Sequence, residues 1–139
     1  MRIALSSLIV DDQEKALKFY TEILAFVKKA DLPAGKFRWL TVISPEGPGD
    51  IELVLEPNEN PAARTFQKAL FDQGIPLTAF AVDDLQKEHE RMTGLGVVFR
   101  TAPTQMGPTT VAVFEDTCGN LISRGDARGW PSWKPAAPT

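Results

Sequence analysis

Two hydrophobic periods alternate along the chain, and the order in which they alternate occurs twice. Residues 3–10 are an almost unbroken apolar run, the pattern of a strand with both faces largely covered. Asp11 and Asp12 end it, and either is a good helix N-cap. Glu14 then falls in the first turn, where the helix dipole favours an acid. Ala16, Phe19, Tyr20 and Ile23 recur at helical spacing and predict a helix over 13–24 with one apolar stripe. Residues 26–30 read as a strand, 31–35 as a break marked by Pro33 and Gly35, and 37–44 as the next strand. After a second break at 45–49, residues 51–55 alternate. Ile51, Leu53 and Leu55 take one face, and Glu52, Val54 and Glu56 the other. The first half is thus strand, helix, and three strands.

Asn60-Pro61 reads as an N-cap followed by proline at the first helical position, and Gly74 as a left-handed C-cap. They bracket a connecting helix over 62–73 with Phe66, Leu70 and Ala69 directed inward. The first order then returns. Residues 77–82 form a strand, and Asp83-Asp84 cap a helix carrying Leu85, His89, Met92 and Leu95. Strands follow at 97–100 and 109–115, then a turn at 116–120 and a last strand from Leu121. Val10-Asp11-Asp12 therefore recurs as Val82-Asp83-Asp84. The chain reads as a single domain of two similar modules, 1–57 and 76–124, joined by a connector at 58–75, with a tail at 125–139. A duplicated half-module creates a cleft between its copies, and clefts are where ligands sit. The tail is rich in Pro, Gly and Ala. Its Trp130 and Trp133 are costly to leave exposed, so at least one is expected to pack on the body or on a second subunit.

Composition narrows the chemistry. A chain of 139 residues, 43% hydrophobic and 24% charged, is that of an ordinary globular domain with its own core. A net charge of −3 without long runs of one sign argues against nucleic acid or an anionic membrane as partner. No apolar run is long enough to span a bilayer, and the first residues lack a signal-peptide pattern. A cytoplasmic location is expected. The single cysteine, Cys118, cannot form an internal disulfide, and it has no basic neighbour to make a reactive thiolate. There is one histidine, His89, between Glu88 and Glu90, which reads as a solvated helix residue. Sites needing two histidines plus a carboxylate for iron, or three for zinc, are thereby excluded.

The strings Leu8-Ile9-Val10-Asp11-Asp12, Ala16-Leu17-Lys18-Phe19-Tyr20 and Ile23-Leu24-Ala25-Phe26 resemble the opening of the glyoxalase / bleomycin-resistance / extradiol-dioxygenase superfamily, the vicinal-oxygen-chelate fold. Residues 114–122 resemble its closing strand–turn–strand. The resemblance covers about residues 3–124. It implies an α+β fold in which paired βαβββ modules curl eight strands into a cup with helices outside, assembled as a homodimer. In metal-using members four cup positions hold a divalent ion. The first lies seven residues before the second aspartate of the helix cap, which here is Leu5. The second, on the fourth strand, is Glu52; the third repeats the first and is Leu77; the fourth follows the glycine-asparagine turn and is Ser123. Two leucines, a serine and one carboxylate do not make a divalent-cation site. No metal and no other cofactor is expected.

Strand alternation names the cup lining: Leu5 brings Ser7 and Ile9, Leu77 brings Ala79 and Ala81, Glu52 brings Val54, and Ser123 brings Leu121. The lining suits a small, partly apolar organic ligand. Glu52 is the candidate catalytic residue. A carboxylate among leucines has its pKa raised and can carry a proton, unless solvent or a partner such as Arg38 or Arg100 takes it. Arg38 and Trp39 are candidates for holding an acidic or planar ligand by fork geometry and stacking. Residues 103–108 form either a rim or an ordinary hairpin connection. Three functions fit: a binding protein with a metal-free cup, a lyase or isomerase using Glu52 as base, and a ligand-free dimeric scaffold.

Overall fold

Each Val-Asp-Asp ends a strand and caps a helix through its second aspartate. The Asp12 carboxylate accepts from the Lys15 amide at 2.9 Å, and Asp84 accepts from the Lys87 amide at 3.1 Å. The structure, a computed structural model, describes residues 1–126. Module one consists of β1 (Leu5–Val10), α1 (Gln13–Lys18), a π-helical turn (Phe19–Ile23), β2 (Val27–Ala34), β3 (Phe37–Ile43) and β4 (Glu52–Pro57). The connector is α2 (Pro61–Gln73). Module two consists of β5 (Thr78–Val82), α3 (Leu85–Gly94), β6 (Phe99–Met106), β7 (Thr109–Glu115) and β8 (Leu121–Asp126).

The eight strands divide into two four-stranded mixed sheets, ordered β1-β4-β3-β2 and β5-β8-β7-β6. In each, the first and last strands of the module run parallel and the remaining neighbours antiparallel. This is the paired-module α+β architecture.

Two of the expected proline-bearing connections, 31–35 and 103–108, are largely strand, while 45–49 is the expected loop. β2 continues through Pro33 to Ala34 and turns on Gly35-Lys36, and β6 continues through Pro103 to Met106 and turns on Gly107-Pro108. Residues 103–106 are therefore no rim loop. Each proline lies on an edge strand, where its missing N–H breaks no ladder, and Pro103 sits where the register shifts between Thr101 and Thr104. The glycines open each turn with φ near +63°, a conformation that costs a residue with a Cβ. β1 begins at Leu5, and its Leu5, Ser6 and Ser7 are exposed, so only one of its faces is covered. β8 includes Gly125 and Asp126, two residues that the sequence reading gave to the tail. Trp130 and Trp133 lie outside the described residues.

One core joins the modules. Leu8 and Val10 of β1, Leu40 and Val42 of β3 and Leu55 of β4 meet Phe114 of β7 and Ile122 of β8, with Ala16, Phe19 and Tyr20 between them. Each fully buried aliphatic or aromatic side chain contributes roughly 1.5–3 kcal/mol. The Phe19 ring stacks on Phe114 at 6.2 Å, and Tyr20 meets Phe80 edge-on at 6.4 Å. α2 turns a polar residue inward: Gln67 is buried and Phe66 is exposed, while Ala69 and Leu70 of the expected stripe are half-buried. The physical reason is hydrogen bonding at the module junction. Gln67 Nε2 shares its two hydrogens among the Ile9 and Cys118 carbonyls, 3.1 Å away each, and Asn120 Oδ1 at 3.0 Å, beside the Asp11 amide and Asn120 Nδ2 that also donate to those carbonyls. His89 is likewise no solvated residue. It is half-buried, its ring stands edge-on to Phe99 at 4.5 Å, and its Nδ1 is buried without a partner.

Candidate functional site

Register places the module-one candidates on one face. Leu5 pairs with Glu52, Ser7 with Val54 and Ile9 with Glu56, and Val54 pairs in turn with Thr41 on β3. Trp39 shares that face by alternation and is 39% exposed, while Leu5 is 46% exposed. In module two, Ala79 pairs with Ser123, and the Leu77 amide donates to the Leu121 carbonyl at 2.8 Å. Leu77, Ala79, Ala81, Leu121 and Ser123 therefore share one face of the second sheet.

The helix-bearing faces of both sheets meet in one cluster; the exposed Leu5 and Trp39 lie on the other face of the first sheet, whereas Leu77 packs against the cluster. Within one chain only Glu52 of the first row and Ala79 and Ala81 of the second come to a common cavity between the modules.

Three candidates are placed differently from expectation. Arg38 follows Leu40 and Val42 to the helix side, because neighbours in a strand point to opposite faces and Trp39 takes the other. Its guanidinium grips Asp31 through Nε at 2.9 Å and Nη2 at 2.7 Å, and it reaches Glu14 through Nη1 at 2.6 Å. That leaves no fork for a ligand. Asp31 is held down at about 2 by the Arg38 hydrogen bonds, against the ordinary 3.8. Val54 and Leu121 are buried, since each sits on a central strand with neighbours on both sides. They support the face and do not line an open surface.

Glu52 is half-buried, and its partner is neither Arg38 nor Arg100. Arg100 is taken by Glu115 at 2.7 Å. The Thr41 hydroxyl donates to Glu52 Oε1 at 2.7 Å, and Thr41 itself is fully buried. This fixes one carboxylate oxygen, and among the described residues the other takes no side-chain hydrogen bond. Alternation already placed Thr41 on the Trp39 face, and its role escaped the sequence reading because cross-strand partners follow from register alone. Glu56, exposed, accepts from the Ser7 hydroxyl at 3.2 Å.

The positions that hold a metal in metal-using relatives do not suit one here. Leu5 and Leu77 offer no donor atom, leaving the Glu52 carboxylate and the Ser123 hydroxyl. Among the described residues no three of His, Cys, Asp and Glu come together to hold a metal ion. No helix among them is long and apolar enough to cross a membrane.

A cavity of about 370 Å³ opens on the core side between the modules, walled by Phe26, Val42 and Leu53 on one side and by Thr78 and Phe80 of β5 on the other. Of the expected site residues it takes in Glu52, Ala79 and Ala81. A second cavity of about 300 Å³ adjoins it and holds Arg91 and Arg124. The β5 edge strand and Phe26 shape both; the duplicated half-module led to the expectation of a cleft between its copies, but no local pattern placed Phe26, Arg91 or Arg124 in it.

Comparison with known proteins agrees with this architecture. The model of the Glyoxalase/Bleomycin resistance protein/Dioxygenase superfamily matches residues 2–123, and the chain belongs to that superfamily. The chain is 56% identical over 122 residues to the Bacillus subtilis protein YurT, an uncharacterized protein, covering 88% of this chain and 96% of that one. Among solved structures it is similar to UcmS2, with 31% identity, a TM-score of 0.78 and coverage of 91% and 98%. It is also similar to TnmS3, an antibiotic binding protein from Streptomyces sp. CB03234, with 30% identity, a TM-score of 0.70 and coverage of 89% and 93%.

Proposed function

We propose that this member of the superfamily binds a small, partly apolar organic molecule without a metal, between the module-one face of one copy and the module-two face of a second. The observation that carries the reading is the exposed pair Leu5 and Trp39 on the same sheet face as a carboxylate held by Thr41. Leu5 and Leu77 in place of metal donors support a binding role, and the antibiotic-binding activity of TnmS3 supports the ligand class. Trp39 supplies a flat stacking surface, the small Ala79 and Ala81 leave volume, and Glu52 and Ser123 orient polar groups. The dimer follows from the same logic, since pairing two copies covers the exposed Leu5 and Trp39.

The test is a thermal-shift screen against planar aromatic antibiotics, with light scattering to read the oligomer. A ligand at one hundred times its Kd adds about 2.7 kcal/mol to stability. The expected result is a dimer, stabilised by at least one such compound in the wild type and not in Trp39→Ala. A monomer, or stabilisation unchanged in that variant, overturns the reading.

A second reading rests on the free Glu52 oxygen beside the one held by Thr41: a lyase or isomerase in which Glu52 removes a substrate proton. Glu52→Gln then abolishes turnover and keeps ligand affinity. If Glu52→Gln alters affinity and no substrate is consumed, binding alone stands.

A further inference from the structure

A hydroxyl carries one hydrogen, and at the buried Thr41 its neighbours settle where that hydrogen points. β2 and β3 slip in register between Lys28 and Ala30, which makes Lys29 the extra residue of a bulge. Just beyond it the Ala30 amide donates to Thr41 Oγ1 at 3.1 Å. Thr41 has no exposed surface, so its own hydrogen needs an acceptor within the protein. Among the described residues that acceptor is Glu52 Oε1 at 2.7 Å. The chain of donors therefore runs one way, from the Ala30 amide to the Thr41 hydroxyl to the Glu52 carboxylate.

The backbone of Glu52 is held as firmly. Its amide donates to the Ala4 carbonyl at 3.0 Å, and Lys29 Nζ ties the preceding loop to the bulge by donating to the Gly49 carbonyl at 2.7 Å. Thr41 and Glu52 are diagonal neighbours on one face, because Thr41 pairs with Val54, two residues along β4 from Glu52. Bulges recur where a side chain has to be aimed, and this one sets both Thr41 and the loop that delivers Glu52.

A proton on Oε1 would face the hydrogen of Thr41, so that oxygen acts as an acceptor. Oε2 is left for a ligand, and an ionised carboxylate offers acceptors alone. A ligand acceptor placed against it leaves two oxygens facing each other without a hydrogen, whereas an O–H or N–H completes the pair.

We propose that Thr41 is a positioning residue that fixes Glu52 as a hydrogen-bond acceptor, and that the sheet-face site therefore selects partly apolar ligands carrying an O–H or N–H donor for Glu52 Oε2. This rests on the sheet-face reading above and adds the chemistry that its ligand must bring.

The first measurement needs no ligand. In proton spectra of the full chain the Thr41 hydroxyl is expected as a resolved, slowly exchanging signal close to the Ala30 amide, and Glu52→Gln moves it upfield. Absence of that signal, or a signal unmoved in Glu52→Gln, overturns the proposal. The second follows amide chemical shifts with 2-naphthol and with 2-fluoronaphthalene, which has the same ring and no donor. Wild type is expected to bind the naphthol at least tenfold tighter. The preference falls below threefold in Thr41→Val and returns in Thr41→Ser, a rescue that a merely structural role would not give. Should Thr41→Val fail to fold, Glu52→Gln serves in its place: Thr41 keeps the amide oxygen, Nε2 turns to the ligand, and the preference for the naphthol is lost. A preference that survives in either variant overturns the role of Thr41. Equal binding of both probes, abolished in Trp39→Ala, overturns the donor requirement and leaves the sheet-face reading standing. Binding of neither also overturns the donor requirement, whereas the sheet-face reading falls only if the wider aromatic screen is empty as well.

Discussion

The Tyr20 hydroxyl donates to Asp116 Oδ2 at 2.7 Å, and this buried bond ties the π-helical turn of module one to the β7–β8 turn of module two. Asp116 is surrounded: its Oδ1 accepts from the Cys118 amide at 2.8 Å and the Asn120 amide at 3.0 Å, and its Oδ2 also accepts from Asn120 Nδ2 at 2.8 Å. Burial pushes the Asp116 carboxyl above its ordinary value while these hydrogen bonds pull it down. Burial, with the nearby Asp116 charge, likewise pushes the Tyr20 hydroxyl well above its usual value.

Tyr20→Phe keeps the ring contacts with Phe19, Phe26 and Phe80 and removes one donor from a buried carboxylate. The expected loss is about 1–3 kcal/mol in urea unfolding, with the transition still single because the common core persists. An unchanged midpoint would show that the bond contributes nothing across the junction.

Acid should weaken the Asp31–Arg38 fork. The Arg38 hydrogen bonds lower the Asp31 carboxyl from 3.8 to about 2 in the folded chain. A depressed carboxylate contributes stability that is complete above its unfolded value and lost as pH falls through its folded value. The Tm difference between wild type and Asp31→Asn should therefore shrink between pH 3.8 and about 2. A difference constant over that range refutes the linkage.

Two glycines should respond in opposite senses. Gly119 has φ +95°, and a Cβ there would stand 2.9 Å from Gln67 Nε2, the donor that satisfies the junction. Gly119→Ala is expected to lose about 1–3 kcal/mol. Gly94 ends α3 with open space around it, and Gly94→Ala is expected to gain about 0.4–1 kcal/mol. Chemical denaturation of the two variants side by side measures both.

Cys118 should be inert while the chain is folded. Burial, with the Asp116 charge, pushes its thiol up to about 12, and the residue has no exposed surface. A disulfide reagent at neutral pH should label it only at the rate of opening, and denaturant should release a single fast equivalent. Immediate labelling of the native chain would contradict its placement.

Much of the fold was legible because it is written locally. Asp12 and Asp84 are capping residues whose chemistry acts within three residues, and the stripe of Ala16, Phe19 and Tyr20 needs only the helical period. Glycine and proline gave the connector its ends, with Asn60 as N-cap and Gly74 at φ +74°. Pro33 misled where it was read as marking a break, since an edge position removes its penalty and edge status is a property of the whole sheet.

The doubled Val-Asp-Asp by itself determined two similar modules, the faces of their first strands, and leucines where metal-using relatives place ligands. Capping, alternation and helical spacing act over a few residues, so one chain of letters is enough to state them. Tertiary structure alone decided that both helix-bearing faces share one core. It also decided that Leu77 packs against that core while Leu5 stays exposed, that Thr41 rather than an arginine holds Glu52, that Gln67 displaces Phe66 from the junction, and that Arg124 lies buried beside an inter-module cavity. Those outcomes depend on strand register and on which polar groups meet at the junction, both set by segments far apart in sequence.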